Sequence, residues 1–142
     1  MKTLKQLLDA KGRDVHTVAP GARVIDALKL MAERSVGALI VVEGGRIAGV
    51  ISERDYARKV ILHGRSSHEL EVRDIMTSKV ITVHPGQSVE ECMALMTEKR
   101  IRHLPVTEGE RVIGVISIGD LVKEVIAEQQ QTIRQLESYI HS

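Results

Sequence analysis

The stretch Glu43-Gly-Gly-Arg-Ile-Ala-Gly-Val-Ile-Ser-Glu-Arg-Asp55 decides the fold, because it returns as Glu108-Gly-Glu-Arg-Val-Ile-Gly-Val-Ile-Ser-Ile-Gly-Asp120. The offset of 65 extends outward without a gap: residues 15–60 laid on 80–125 agree at 20 of 46 positions. Thr17-Val-Ala-Pro20-Gly21 meets Thr82-Val-His-Pro85-Gly86, and Leu30-Met31 meets Leu95-Met96. The chain is two copies of one supersecondary unit, each too small to bury its own core. In each copy a short β-prone piece (15–18; 80–83) runs into a Pro-Gly turn. An amphipathic helix follows, apolar at Val24, Ala27, Leu28 and Met31, then at Val89, Cys92, Met93 and Met96. Ser88-x-x-Glu91 marks a capping box at the start of the second one.

Two β-branched runs come next (38–42 and 46–51; 104–107 and 111–116), joined by Gly44-Gly45 and by Glu108-Gly109-Glu110 as hairpin turns. The last element is a helix opening at Ser52 or Ser117. The order is therefore β-α-β-β-α twice, an α/β (α+β) chain, with a leading helix over 3–10 and a tail helix to about Ile140. The expected boundaries are 8–65 and 72–128 for the repeats and 129–142 for the tail. The polar link from His63 to His68 is short, so the halves should pack intimately.

Composition narrows the function classes. The 142 residues contain two Tyr, no Phe and no Trp, so stacking of bases on aromatic rings is nearly excluded. Twenty basic against nineteen acidic residues, without a block of one sign, forecast neither a nucleic-acid nor an anionic-membrane partner. Cys92 is the single cysteine, which excludes an intrachain disulfide and points to a reducing compartment. The first ten residues break their apolar positions with charges and lack a signal-peptide core, and no apolar run approaches membrane-spanning length. A cytoplasmic location is the expectation.

The duplicated hairpin with G-V-I-S-x-x-D, together with Val36-Gly-Ala-Leu-Ile-Val-Val42, Ile101-Arg-His-Leu-Pro-Val106 and Asp74-Ile-Met-Thr77, resembles the cystathionine β-synthase (CBS) domain family. The resemblance covers about residues 3–125 and is to a stand-alone tandem pair of bacterial type. It implies two repeats related by a pseudo-twofold axis. It also implies a regulatory module, not a catalyst, that binds AMP, ATP, NAD(H) or S-adenosylmethionine in clefts between the repeats and passes that state to an effector protein. In the family's pattern Asp55 and Asp120 grip ribose, and Ser52 and Ser117 meet a phosphate or sugar oxygen. Arg54 takes a phosphate position where the second copy has Gly119. Arg102 and His103 are phosphate-facing where the first copy offers Gly37 and Ala38. Thr77 reaches the adenine edge where the first copy has Gly12. Val15, Val36, Val80 and Ile101 complete the implied contact set. These asymmetries speak against two equal sites, and Asp55→Ala is expected to weaken binding more than Asp120→Ala.

The residues also admit plainer readings. Ser-x-x-Asp at a strand-to-helix junction is what a helix N-terminus wants for its own capping, and a capping residue can still face a cleft. Arg102-His103 read alone is an ordinary surface pair. His63 and His68 lack the further ligands of a metal site, and Cys92 falls on the apolar stripe of a helix as a core residue. No Ser-His-Asp order, P-loop or G-x-G-x-x-G is present, so no catalytic constellation and no catalytic cofactor is expected. Two rivals stay open: a ligand-free structural or oligomerisation module, and a small nucleotide-acting enzyme with Asp55 or Asp120 as general base. Finally, Val125, Ile126, Ile133, Leu136 and Ile140 continue an apolar helical stripe past the repeat, which predicts a homodimer; the alternative is a tail folded back over the leading helix.

Overall fold

A computed structural model describes residues 2–141. Helix α1 (Leu4–Lys11) opens on a complete capping box, with Thr3 Oγ accepting from the Gln6 N–H and the Gln6 side chain accepting from the Thr3 N–H. Strand β1 (Thr17–Val18) lies parallel to β2 (Ala38–Glu43), which pairs antiparallel with β3 (Arg46–Ser52). Helix α2 (Val24–Arg34) links β1 to β2, burying Val24, Ala27 and Met31 on one stripe. After β3 come α3 (Glu53–Tyr56) and a π-helical turn (Ala57–Ile61), and then the short helix α4 (Val72–Ile75). In the second half α5 (Val89–Lys99) precedes the β4 (His103–Glu108) and β5 (Arg111–Ser117) hairpin, and α6 (Ile118–His141) runs unbroken for 24 residues.

Both hairpins carry a register shift at the same repeat position, between Val41 and Val42 and between Val106 and Thr107. The predicted strand at 80–83 reduces to a single bridge between Val83 and Val106. The reason is one residue. In the first half the Ile40 N–H donates to the His16 carbonyl at 3.1 Å; its counterpart is Pro105, which has no N–H to give. The other early piece is likewise shorter than predicted, beginning at Thr17 rather than residue 15. At Ser88 the hydroxyl accepts from the Glu91 N–H at 3.1 Å, but the Glu91 carboxylate takes the Ser88 hydroxyl rather than closing the box on backbone.

The two halves exchange their leading segments. Leu4, Leu7 and Leu8 of α1 are buried with Cys92, Met96, Leu104 and Ile116 of the second half. Leu70, Val72 and Ile75, which lead into the second repeat, are buried with Val24, Met31, Leu39 and Ile51 of the first. Backbone bonds tie both exchanges, from the Leu4 N–H to the Gln87 carbonyl at 2.8 Å and from the Val72 N–H to the Ala22 carbonyl at 2.8 Å. The repeated glycines of β3 and β5 make room for them. A Cβ on Gly49 would stand 2.7 Å from Met76 Sδ and 2.8 Å from the Thr77 carbonyl oxygen, and one on Gly114 would stand 2.6 Å from Leu8 Cδ2. Cys92 is a core residue, and burial pushes its thiol up to about 11, well away from a nucleophile's range.

The tail does not fold back. Val125 packs on the second core, while Ile126, Ile133, Leu136 and Ile140 along α6 are exposed. Among the described residues no helix is long and apolar enough to cross a membrane.

Candidate functional site

Strand β3 ends at Ser52, whose extended backbone makes it the N-cap of α3. Ser52 Oγ accepts from the Asp55 N–H at 3.2 Å, and Asp55 Oδ2 accepts from the Ser52 N–H and the Ser52 hydroxyl, both at 3.0 Å. The capping reading is thus realised, and it uses one carboxylate oxygen. Asp55 Oδ1 points elsewhere: the Thr77 hydroxyl donates to it at 3.5 Å and Lys59 Nζ stands 3.3 Å away. Thr77 is held there by a two-way bridge to Val50, with N–H to carbonyl distances of 2.9 and 3.0 Å. That bridge is the exchanged segment again, so the packing that closes the first core also sets Thr77 beside Asp55.

These groups form one wall of a cavity of about 700 Å³, inside the size range of small-molecule sites. Three separate stretches build it. The β3–α3 junction supplies Ser52, Glu53, Arg54, Asp55, Arg58 and Lys59, and the segment after α4 supplies Thr77, Lys79, Val80 and Ile81. The end of α5 and the start of β4 bring Arg100, Ile101, Arg102, His103 and Pro105, with Gly37 between. Six cationic side chains (Arg54, Arg58, Lys59, Lys79, Arg100 and Arg102) therefore face two carboxylates. Two of them are braced by main chain: Arg54 donates to the Arg100 carbonyl at 3.3 Å and Lys59 to the Ile75 carbonyl at 2.8 Å. Arg100 closes α5 in the left-handed region at φ 53°, which turns the chain into the cavity wall. Burial, and then the charge of Lys11, holds His103 below the ordinary imidazole range, so its ring is neutral at pH 7. Gly37 leaves room for it, since a Cβ there would stand 3.3 Å from His103 Nε2.

Of the residues singled out in the sequence, Gly37, Ser52, Arg54, Asp55, Thr77, Val80, Ile101, Arg102 and His103 come together in this cavity. Gly12, Val36, Ala38, Ser117, Gly119 and Asp120 do not line it, and Val15 lines a second cavity of about 550 Å³ near the hairpin turns. Asp120 is engaged by Lys11 instead, at 2.5 Å. Sequence reasoning did not single out Arg58, Lys59, Lys79 and Arg100. For Lys59, Lys79 and Arg100 the only signal was a cation where the other repeat has Glu124, Asp14 and Ser35; Arg58 gave none, its counterpart being Lys123. Among the described residues no three His, Cys, Asp or Glu side chains gather as a metal site.

The CBS domain model matches residues 9–62 and 72–127. The chain is 48% identical over 122 residues to the mitochondrial CBS domain-containing protein CBSX3 of Arabidopsis thaliana, covering 82% of this chain and 59% of that relative's length. A protein with CBS domains from Burkholderia ambifaria MC40-6 superposes with a TM-score of 0.87 at 58% identity, covering 90% of this chain and 96% of that one. A hexameric CBS-CP12 protein from bloom-forming cyanobacteria gives 0.77 at 30% identity, over 84% and 66% of the two chains. The fold likeness extends to a CBS domain pair solved with 5′-methylthioadenosine and S-adenosyl-L-methionine, with a TM-score of 0.80 at 22% identity over 90% and 98%. With its duplicated hairpins, exchanged leading segments and matched repeats, the chain belongs to the CBS-domain family.

Proposed function

We propose that this protein is a regulatory module that senses a phosphate-bearing adenine nucleotide in the cavity between its halves. One observation carries the reading: Asp55 Oδ1 and Thr77 sit at one wall of a 700 Å³ cavity whose whole lining sets six cations against two carboxylates, Glu53 and Asp55. A carboxylate accepts ribose hydroxyls, and Arg and Lys groups bind phosphate oxygens with charge-assisted bonds. A sulfonium ligand such as S-adenosylmethionine meets the same cations with the wrong sign, so ATP, AMP and NAD(H) fit this lining better. The adenosyl ligands of the distantly related pair support the adenosyl class, and the lining of this chain argues for the phosphate. Thermal melting with ATP, AMP, NADH and S-adenosylmethionine tests the reading, since a ligand bound only by the folded state raises Tm. A rise with the phosphate-bearing ligands is expected; no rise with any of them leaves the structural-module reading in place. A panel for product formation from the same nucleotides addresses the enzyme reading.

The output we propose is a change in assembly or in contacts with an effector protein, by population shift between arrangements of the halves. A second copy of the chain is the proposed partner for α6. Ile126, Ile133 and Ile140 recur at intervals of seven, each four residues after Val122, Gln129 or Leu136. Branched residues at the first of these positions favour two-stranded pairing. Sedimentation of the intact chain beside a truncation ending at Glu128 checks it: dimer for the first and monomer for the second is the expected result, and two monomers would end the idea.

A further inference from the structure

Among the described residues His103 is the one histidine lining the cavity, and its repeat counterpart is Ala38, which has nothing to titrate. It opens β4, and its ring packs against Gly37, where a Cβ would stand 3.3 Å from Nε2. Among the described residues no side chain or backbone group hydrogen-bonds to either ring nitrogen, and neither nitrogen is sealed from solvent. The charges that face the ring come from four places. Burial opposes its proton most, followed by the charge of Lys11 at the end of α1; Asp120 of α6 favours the proton, Arg102 ahead of β4 opposes it, and Asp55 of α3 favours it. The balance leaves the imidazole neutral in a lining that is short of negative charge. Arg58, Lys79, Arg100 and Arg102 share this cavity and make no ion pair among the described residues. A phosphate group supplies what is missing: its charge offsets the cations, and its oxygens are acceptors. A neutral imidazole offers one N–H and one bare nitrogen, whereas an imidazolium offers two N–H donors, each forming a charge-assisted bond.

We propose that a phosphate-bearing anion bound in this cavity brings a proton with it, taken from solvent onto the bare ring nitrogen of His103, so that the module reads nucleotide and pH together. The identity of the anion rests on the nucleotide reading of the cavity; the coupling to His103 does not. By linkage, a ligand that favours the protonated ring is itself bound more tightly by that form, so affinity rises as the pH falls. The test follows the imidazole protons of His103 by NMR between about pH 5 and 8, in the intact wild type alone and with ATP, inorganic pyrophosphate or adenosine. The signal is identified by its loss in His103→Gln, or in His103→Asn should the first variant melt early. Saturating ATP and pyrophosphate should raise the titration midpoint by about one pH unit or more, which corresponds to about tenfold tighter binding by the protonated protein. Adenosine, which carries no phosphate, should leave the midpoint in place. Calorimetric ATP affinity should climb more steeply towards acid in the wild type than in His103→Gln, where ATP's own titration remains. A midpoint unmoved by an anion that calorimetry shows to be bound, or moved equally by adenosine, overturns the coupling and leaves the nucleotide reading standing. If pyrophosphate moves the midpoint while ATP and adenosine do not bind, the nucleotide reading alone fails. If neither ATP nor pyrophosphate binds across this pH range, both are overturned.

Discussion

Replacing Asp55 by alanine separates the two jobs its carboxylate does. Oδ2 closes the capping box on Ser52 through two contacts of 3.0 Å, and losing such a cap costs about 1 kcal/mol of stability. For a chain of this size that lowers Tm by about 3–5 °C. In the proposed nucleotide site Oδ1, beside Thr77 and Lys59, would be the acceptor for ribose. A charge-assisted hydrogen bond there contributes about 1.5–3 kcal/mol, so its loss weakens nucleotide affinity by about 10- to 150-fold. Asp55→Asn is the control, because its amide oxygen still serves the cap while the charge is gone; Tm should recover more than affinity does. In Asp120→Ala the nucleotide affinity should stay unchanged, since Asp120 does not line the cavity. The assay is calorimetric titration of ATP into each variant beside its melting curve. A fall in Tm with undiminished ATP affinity in Asp55→Ala would refute the reasoning and reduce the aspartate to a cap.

Gly49→Ala should destabilise the chain by about 1–3 kcal/mol in urea unfolding, because its Cβ would meet the Thr77 carbonyl oxygen at 2.8 Å and backbone must shift. It should also weaken ATP binding, since the same shift moves Thr77 from Asp55. Arg102→Ala should lower ATP affinity by about tenfold and flatten its dependence on salt, as expected when a phosphate loses one cation. His103 sits below its ordinary pKa in the fold, so acid protonates the unfolded chain first. Stability should fall as the pH drops below about 6.5, and His103→Gln should remove that slope from a Tm-versus-pH series; an unchanged slope would show that the ring is not the titrating group.

The order of elements was legible because local patterns specify it. The repeat of 65 positions, the Pro-Gly turns, the helical stripe through Val24, Ala27 and Met31, and the glycine turns between β-branched runs each depend on neighbours in the chain. So did the capping boxes, although Glu91 turned to the Ser88 side chain. The strand lost around Val83 was legible too, in Pro105, but only to a reader who knew that the missing N–H faced another strand.

The sequence by itself determined two copies of one unit, their element order and the aspartate at each strand-to-helix junction, because these follow from periodicity and local hydrogen bonding. Only the tertiary structure decided that the leading segments exchange cores. That exchange put Thr77 beside Asp55 and Lys11 on Asp120. It likewise took three dimensions to bring Arg58, Lys79 and Arg100 into one cavity from stretches far apart in the chain. Local pattern specifies which face of an element is apolar; which partner covers that face, and which polar ends meet at the seam, depends on packing between residues far apart in the chain.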